Sequence, residues 1–305
     1  MKHSPFFRQA ELMIKVLPLV AKETGFALKG GTAINLFVRD FPRLSVDIDI
    51  TYLPIEPRNI SLPKISSALG RIKTSVEREI NSARVHASKI SNPDRINKLV
   101  ISTEEAQIKI EPNEIIRGTV FPPSKRTLVP VAEELFEMSA TINTLSIADL
   151  YGGKICAALD RGHPRDWFDI MVLMENEGIT DDVRKAFVLY LASHNRPMAE
   201  LLDPIQPDFR KAFEKEFQGM TRNPVSYDEL VEARSMALQN IRKSLTREER
   251  EFLLSIKMET PKWDLIGIEG IDKLPAIQWK LTNLKKMEIG KKKIALEKLS
   301  KILEI

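Results

Sequence analysis

The residues best placed to do chemistry lie between Arg39 and Ile50, in the run Arg-Asp-Phe-Pro-Arg-Leu-Ser-Val-Asp-Ile-Asp-Ile. Its last six residues alternate. Ser45, Asp47 and Asp49 carry oxygen, while Val46, Ile48 and Ile50 are β-branched and apolar. That is the period of a strand with one face on a core. The oxygen-bearing row then shares the other face, with successive Cα atoms about 6.6 Å apart. Two carboxylates at that spacing can converge on one cation, and they repel each other without one. A hard oxygen set with few protein donors suits Mg²⁺, as one or two ions that complete their shells with water and substrate phosphate. The other reading is a half-exposed strand with two solvated aspartates, since Asp-X-Asp alone is a common pattern.

Just upstream stands Ala27-Leu-Lys-Gly-Gly-Thr-Ala-Ile-Asn-Leu-Phe37. An apolar segment enters Gly30-Gly31, and a helical pattern through Ala33, Leu36 and Phe37 follows. Glycines between a strand and a helix let backbone N–H groups approach a phosphate, and a helix N-terminus favours the anion. Thr32 adds a hydroxyl at the helix start. Gly-Gly alone reads equally as a tight turn with a Thr N-cap. Joined to Arg43-X-Ser45-X-Asp47-X-Asp49, it places a phosphate cradle on one side of a short helix and a metal platform on the other.

A second polar stretch runs from Lys154 to Asp169. Ser146-Ile-Ala-Asp149 has the form of a capping-box start, and a helix follows to about Leu159. Lys154 is spaced four residues from both Leu150 and Ala158, on or beside the buried side. A buried ammonium needs an anionic partner, which a triphosphate would supply; a lysine snorkelling along a helix flank needs none. Gly162-His163-Pro164 breaks the chain, and a helix restarts at Arg165. Asp166 and Asp169 share a face, and Val172 and Leu173 turn Asp169 toward the core. The two helices form an αα-hairpin. The inward polar groups then either share a cleft with the Asp47–Asp49 row or pair with each other as a structural salt bridge.

Taken together, these stretches resemble the nucleotidyltransferases of the DNA polymerase β superfamily, and within it the AbiEii/AbiGii (MenT-like) toxins of bacterial toxin–antitoxin systems. The resemblance rests on Gly30-Gly31-Thr32-Ala33, on Arg43-X-Ser45-X-Asp47-X-Asp49, on Lys154 through Asp169, and on a weaker echo at Leu274-Pro-Ala-Ile-Gln-Trp-Lys280. It implies an α+β fold: a nucleotidyltransferase domain with a mixed sheet over residues 1–140, then a mainly helical C-terminal domain over 141–305 that contributes to the active-site cleft. It implies nucleotidyl transfer from a nucleoside triphosphate to RNA, at the 3′ acceptor end of tRNA, which blocks translation, and a cognate antitoxin. In that frame Asp47 and Asp49 hold Mg²⁺, and Glu111, from a neighbouring strand, is the candidate third metal ligand; a solvated Glu111 is the alternative. Gly30, Gly31, Thr32 and Ser45 cradle the phosphates, with Arg43, Arg165 and Asp166 as further nucleotide-binding candidates. Lys154 and Asp169 match residues needed for activity. The same platform serves a transferase acting on a small molecule or protein, and a fold kept without catalysis would bind nucleic acid only.

The remaining elements must position these groups. Ala10, Met13, Ile14, Leu17, Val20 and Ala21 mark a helix over residues 5–24, and Phe26 to Leu28 a short strand. Ile65, Leu69, Ile72, Val76 and Ile80 mark a helix over 65–82. Residues 98–102 and 107–111 read as two strands, the second ending near Pro112, and residues 113–120 as a further strand. From Asp181 onward the chain reads as charged helices. The 305 residues carry a formal charge of +4 and are 43% apolar, which permits a nucleic-acid partner without demanding one. The single cysteine, Cys156, excludes an intrachain disulfide framework and reads as a small buried hydrophobe. The four histidines, His3, His86, His163 and His194, are too scattered for a zinc site. The N-terminal residues lack a signal-peptide core and no 18-residue apolar run exists, so a soluble, cytoplasmic protein with no membrane association is expected. Residues 280–301 hold eight lysines against two glutamates: either a solvated helix face or a surface that tracks an RNA backbone.

Overall fold

A computed structural model of the chain describes residues 5–90 and 94–305; His3 and the rest of residues 1–4 lie outside the described residues. Two compact units are present. The first spans Met1–Ser146 and recovers Gln218–Pro224, and the second spans Ile147–Phe217 and Val225–Ile305.

The first unit is built on a mixed sheet of seven strands: β1 (Phe26–Lys29), β2 (Asp47–Tyr52), β3 (Arg84–Ile90), β4 (Arg95–Ser102), β5 (Gln107–Asn113), β6 (Ser124–Thr127) and β7 (Thr141–Thr144). Their order is β3-β4-β5-β2-β1-β7-β6. β2 lies at the centre, antiparallel to β1 and parallel to β5. Its apolar residues explain that place, because Ile48 and Ile50 are wholly buried. The sheet is flanked by α1 (Pro5–Val20), α2 (Gly30–Ala33), α3 (Arg58–Glu79) and α4 (Pro130–Phe136). α1 buries Met13, Ile14 and Leu17, and α3 buries Ile65, Leu69, Ile72 and Val76, the stripes their spacing predicts. α3 starts at Arg58 rather than Ile65 and accommodates Pro63. α2 passes into a π-helical turn over Ile34–Val38.

Three differences from the sequence-based expectation have simple causes. Strand β2 begins at Asp47, so Ser45 and Val46 precede the ladder, both buried. Residues 114–120 are not a strand, because the Asn113 side chain accepts the amides of Ile115 and Ile116 at 3.0 and 2.8 Å and turns the chain out of the sheet. β3 and β6 carry no apolar alternation, since β3 buries only Val85 and β6 nothing. Both are edge strands, which leave a face in water and lose the period that betrays a strand.

The second unit is helical, with α5 (Ile147–Arg161), α6 (Pro164–Glu175), α7 (Asp181–Ser193), α8 (Met198–Leu202), α9 (Arg210–Glu216), α10 (Tyr227–Ser244), α11 (Arg247–Lys257), α12 (Pro275–Lys285) and α13 (Ile289–Leu303). α5 and α7 meet backbone to backbone at Gly152, where a Cβ would lie 2.7 Å from the Phe187 nitrogen. Gly162 takes φ +64° between α5 and α6, and the His163 ring caps α6 by accepting from the Arg165 amide. Capping boxes, Ser226 with Glu229 and Thr246 with Glu249, start α10 and α11.

Candidate active site

In the first unit the glycine turn and the aspartate strand are one construction. Thr32 is buried, and its hydroxyl donates to the main-chain oxygen of Asp47 at 2.5 Å and lies 2.9 Å from the Ser45 hydroxyl. Gly30 has φ +73°, and a Cβ there would sit 2.6 Å from Asp49 Oδ2. At Gly31 a Cβ would sit 2.6 Å from Arg43 Nη2 and 3.1 Å from Ser45 Oγ. The paired glycines therefore make room for Asp49 and Arg43 as well as ending β1. Arg43 is 2% exposed and donates to the Leu44 carbonyl at 2.8 Å. Its segment is clamped by the returning Gln218–Pro224 strip: the Leu44 amide donates to Met220 O, and the Arg222 amide to Pro42 O, both at 2.8 Å.

Asp47 and Asp49 are half-buried on β2, with the buried Ile48 and Ile50 between and behind them. The parallel register sets Lys109 beside Asp47 and Glu111 beside Asp49. Glu111 is on the expected neighbouring strand, but its carboxylate sits 2.6 Å from Lys98 Nζ and is 43% exposed. Among the described residues no group of three or more His, Cys, Asp or Glu is gathered in metal-holding array. The aspartate pair itself fits a hard divalent cation. Two carboxylates alternate on a strand backed by core, and the space a Cβ would take at Gly30 is left to Asp49 Oδ2. Two protein carboxylates leave the rest of such a shell to substrate oxygens and water.

In the second unit the residues read as inward-facing are inward. Lys154 is 6% exposed, and its Nζ lies 2.9 Å from both Asp166 Oδ1 and Asp169 Oδ2. Asp166 and Asp169 are buried. Arg161, which sequence reasoning passed over, completes the cluster by donating Nε to Asp166 Oδ2 at 2.6 Å and Nη2 to Oδ1 at 2.9 Å. Burial alone would raise the Asp166 carboxyl. Lys154 and Arg161 outweigh it and hold the group far below the usual carboxylate range. Asp166 thus faces two protein cations and holds Lys154 in place. Arg165 is half-buried at the start of α6. The Gly162 turn gave the one clue to Arg161, because it folds the end of α5 back onto the first turn of α6.

The lysine-rich C-terminal helices enclose a cavity of about 250 Å³, lined in part by Lys257, Lys280, Lys291 and Lys298. Lys280 Nζ donates to the His194 carbonyl at 2.6 Å, and burial, aided by Lys257, brings its pKa down to about 8. Lys292 pairs with Glu259 at 2.5 Å. The Cys156 thiol is pushed up by burial and sits as a small core residue. No described helix is long and apolar enough to cross a membrane.

Comparison with known proteins places these features. A sequence model of the nucleotidyl transferase AbiEii toxin, of type IV toxin–antitoxin systems, matches residues 11–283. Among solved structures the chain is similar in fold to MenT4, a nucleotidyltransferase toxin from Mycobacterium tuberculosis H37Rv. The TM-score is 0.60 at 12% identity, covering 92% of this chain and 93% of that one. No curated protein matches the chain by sequence. The family match spans both units and both polar stretches, and the mixed sheet followed by helices agrees with it: this chain belongs to the AbiEii family of nucleotidyltransferase toxins from type IV toxin–antitoxin systems.

Proposed function

We propose that this nucleotidyltransferase toxin transfers nucleotide from a nucleoside triphosphate to RNA, at the 3′ acceptor end of tRNA, and that it acts in the cytoplasm on Mg²⁺ held by Asp47 and Asp49. The observation that carries the reading is the single packed construction of Gly30, Thr32, Asp47 and Asp49, in which the Asp49 carboxylate packs against Gly30 and Thr32 holds the Asp47 backbone. In this reaction the terminal ribose hydroxyl gives its proton to water, its oxygen bonds to the α-phosphorus, the bond from that phosphorus to the bridging oxygen breaks, and pyrophosphate leaves. When bound, the cation would neutralise triphosphate charge and lower the cost of the attacking alkoxide.

The chain's own residues do the rest. Backbone N–H groups at Gly30 and Gly31, with the Thr32 and Ser45 hydroxyls, form the phosphate cradle of this reading. Arg43 buttresses Gly31 from within. Lys154 brings positive charge to the triphosphate, and Asp166 and Asp169 position it. Asp169 acts through Lys154 in this account, because a carboxylate tied to a lysine at 2.9 Å is a poor proton acceptor. Glu111 joins the metal site only when released from Lys98.

Incubation with each labelled nucleoside triphosphate, Mg²⁺ and total tRNA tests the proposal. Label should enter RNA, and both chelation and Asp47→Ala should abolish it. Label on protein, or transfer by Asp47→Ala at the parental rate, would overturn the acceptor or the metal platform respectively.

A further inference from the structure

One face of the sheet in the first unit is packed and the other is open. Ile48, Ile50, Leu99, Ile101, Ile108 and Ile110 are buried on the side of α1 and α3. Residues paired across strands share a face, so the register lays two rows over the opposite side. One runs from Asp47 on β2 to Lys109 on β5, Val100 on β4 and His86 on β3. The other runs from Asp49 to Glu111, then to Lys98, which pairs with Glu111 at 2.6 Å, and to Ser88. Arg84 stands on the same face of β3, two residues from His86. Arg84 and His86 are exposed, and Lys98, Val100 and Lys109 are half-buried. Parallel strands ordinarily lie covered on both faces, yet the parallel pair β2 and β5 opens its polar face.

The charges on this open face do not close among themselves. Among the described residues of β3, β4 and β5 it presents one carboxylate, Glu111, and Lys98 answers it. Lys109 and Arg84 have no carboxylate partner among the described residues, although Asp47 is the ladder neighbour of Lys109. The surplus is positive and begins one strand, about 4.8 Å, from Asp47. It extends away from the glycine turn, which follows β1 on the other side of β2. In the transfer proposed for this chain, pyrophosphate departs toward Gly30 and Gly31. Attacking and leaving oxygens stand roughly in line through the phosphorus, so the acceptor hydroxyl approaches from the β5 side. The molecule that carries it then lies over β5, β4 and β3.

We propose that the open face of β5, β4 and β3 is the track of the acceptor RNA strand, with Lys109 on the phosphate nearest the reacting 3′ end, Arg84 on one farther along, and Val100 and His86 beneath the sugar and base between them. The proposal rests on the reading of Asp47 and Asp49 as the transfer site. Strands about 4.8 Å apart set His86 about 14 Å from Asp47, a reach that a polymer backbone fills and a small acceptor does not. Lysine meets phosphate as a point charge, while an exposed imidazole or guanidinium plane stacks on an unpaired base. The polarity matches as well, because a polyanion gains from the surplus charge at every step away from the carboxylates.

The test has two readouts on the full-length protein. The first is binding of a short, fluorescently labelled single-stranded RNA, read by anisotropy with chelator present and no nucleotide. Lys109→Gln and Arg84→Gln should each weaken it about tenfold and reduce the slope of log affinity against log salt by about 0.7. His86→Ala should weaken it several-fold with the slope unchanged. The second readout is label transfer with Mg²⁺, in which the same variants should raise the KM for RNA and leave the KM for the triphosphate at the parental value. If Lys109→Gln does not fold, the exposed Arg84→Gln decides. Parental affinity, slope and RNA KM in the folded variants would overturn the proposal while leaving the transfer reading intact. An equal rise in triphosphate KM would also overturn it, by placing these residues on the nucleotide. A parental protein that binds the RNA through these residues and moves no label into it would overturn the transfer reading, with the RNA-binding face upheld.

Discussion

Thr32 and Asp47 are joined at 2.5 Å, hydroxyl to main-chain oxygen, where β2 begins. The bond fastens the first residue of the aspartate strand to the glycine turn, and the carboxylate of Asp47 is left out of it. The backbone at this residue is thus held by a contact that does not use the carboxylate.

Thr32→Val keeps the shape and removes the hydroxyl, leaving the Asp47 carbonyl and the Ser45 hydroxyl without this donor in a buried place. It should cost about 1–3 kcal/mol of stability and depress transfer, because the Asp47 backbone loses its tether. Urea denaturation and label transfer read the two effects. An unchanged midpoint would mean that the turn and strand are held by other contacts.

Gly30→Ala places a methyl carbon 2.6 Å from Asp49 Oδ2 at a backbone φ of +73°. The left-handed backbone costs about 1–2 kcal/mol, and Asp49 must move. Transfer should fall by more than tenfold while the far-ultraviolet circular dichroism stays parental. Gly178→Ala, at φ +67° with nothing within 4 Å, is the control and should leave activity intact.

Lys154→Ala leaves the buried carboxylates of Asp166 and Asp169 without their ammonium. Breaking a buried pair this way costs about 3–5 kcal/mol, so loss of transfer in this variant has a structural part. Lys154→Met with Asp169→Asn should recover much of the stability and none of the activity. Thermal denaturation beside label transfer separates the two. Full stability in Lys154→Ala would refute the buried cluster.

The Asp166 carboxyl is held far below an aspartate's ordinary 3.8 by Lys154 and Arg161, against the burial that opposes them. A depressed folded-state value means the stabilisation is present above the unfolded value and is lost as pH falls toward the folded one. Stability should therefore be insensitive to this group from pH 7 to about 4 and decline below. Asp166→Asn should flatten that acid limb in a urea series at stepped pH; an unaltered limb would contradict the assignment.

Glutamate at Lys291, Lys293 and Lys298 tests whether the lysine-rich helices meet RNA. Binding to tRNA should weaken, and each lost phosphate contact should reduce the salt slope by about one. Unchanged affinity and slope would make the stretch a solvated face.

The sequence by itself determined the parts that depend on neighbours in the chain. The alternation of Ile48 and Ile50 with Asp47 and Asp49 declares a half-buried strand, because side chains along a strand alternate faces whatever it pairs with. The stripes of α1 and α3 and the inward turn of Lys154 and Asp169 follow from helical spacing in the same way. The pairing of residues far apart in sequence was decided only in three dimensions. The parallel register that sets Glu111 beside Asp49, with Lys98 holding Glu111 from β4, depends on strand order, which no local period encodes. The Gln218–Pro224 strip that returns to Pro42–Leu44 carries no signal of its own, because its bonds are made by backbone groups every residue has. Lys154 advertised its need for an anion through burial. Which anion answers that need in the folded chain, Asp166 and Asp169 at 2.9 Å, was settled by how α5 and α6 pack.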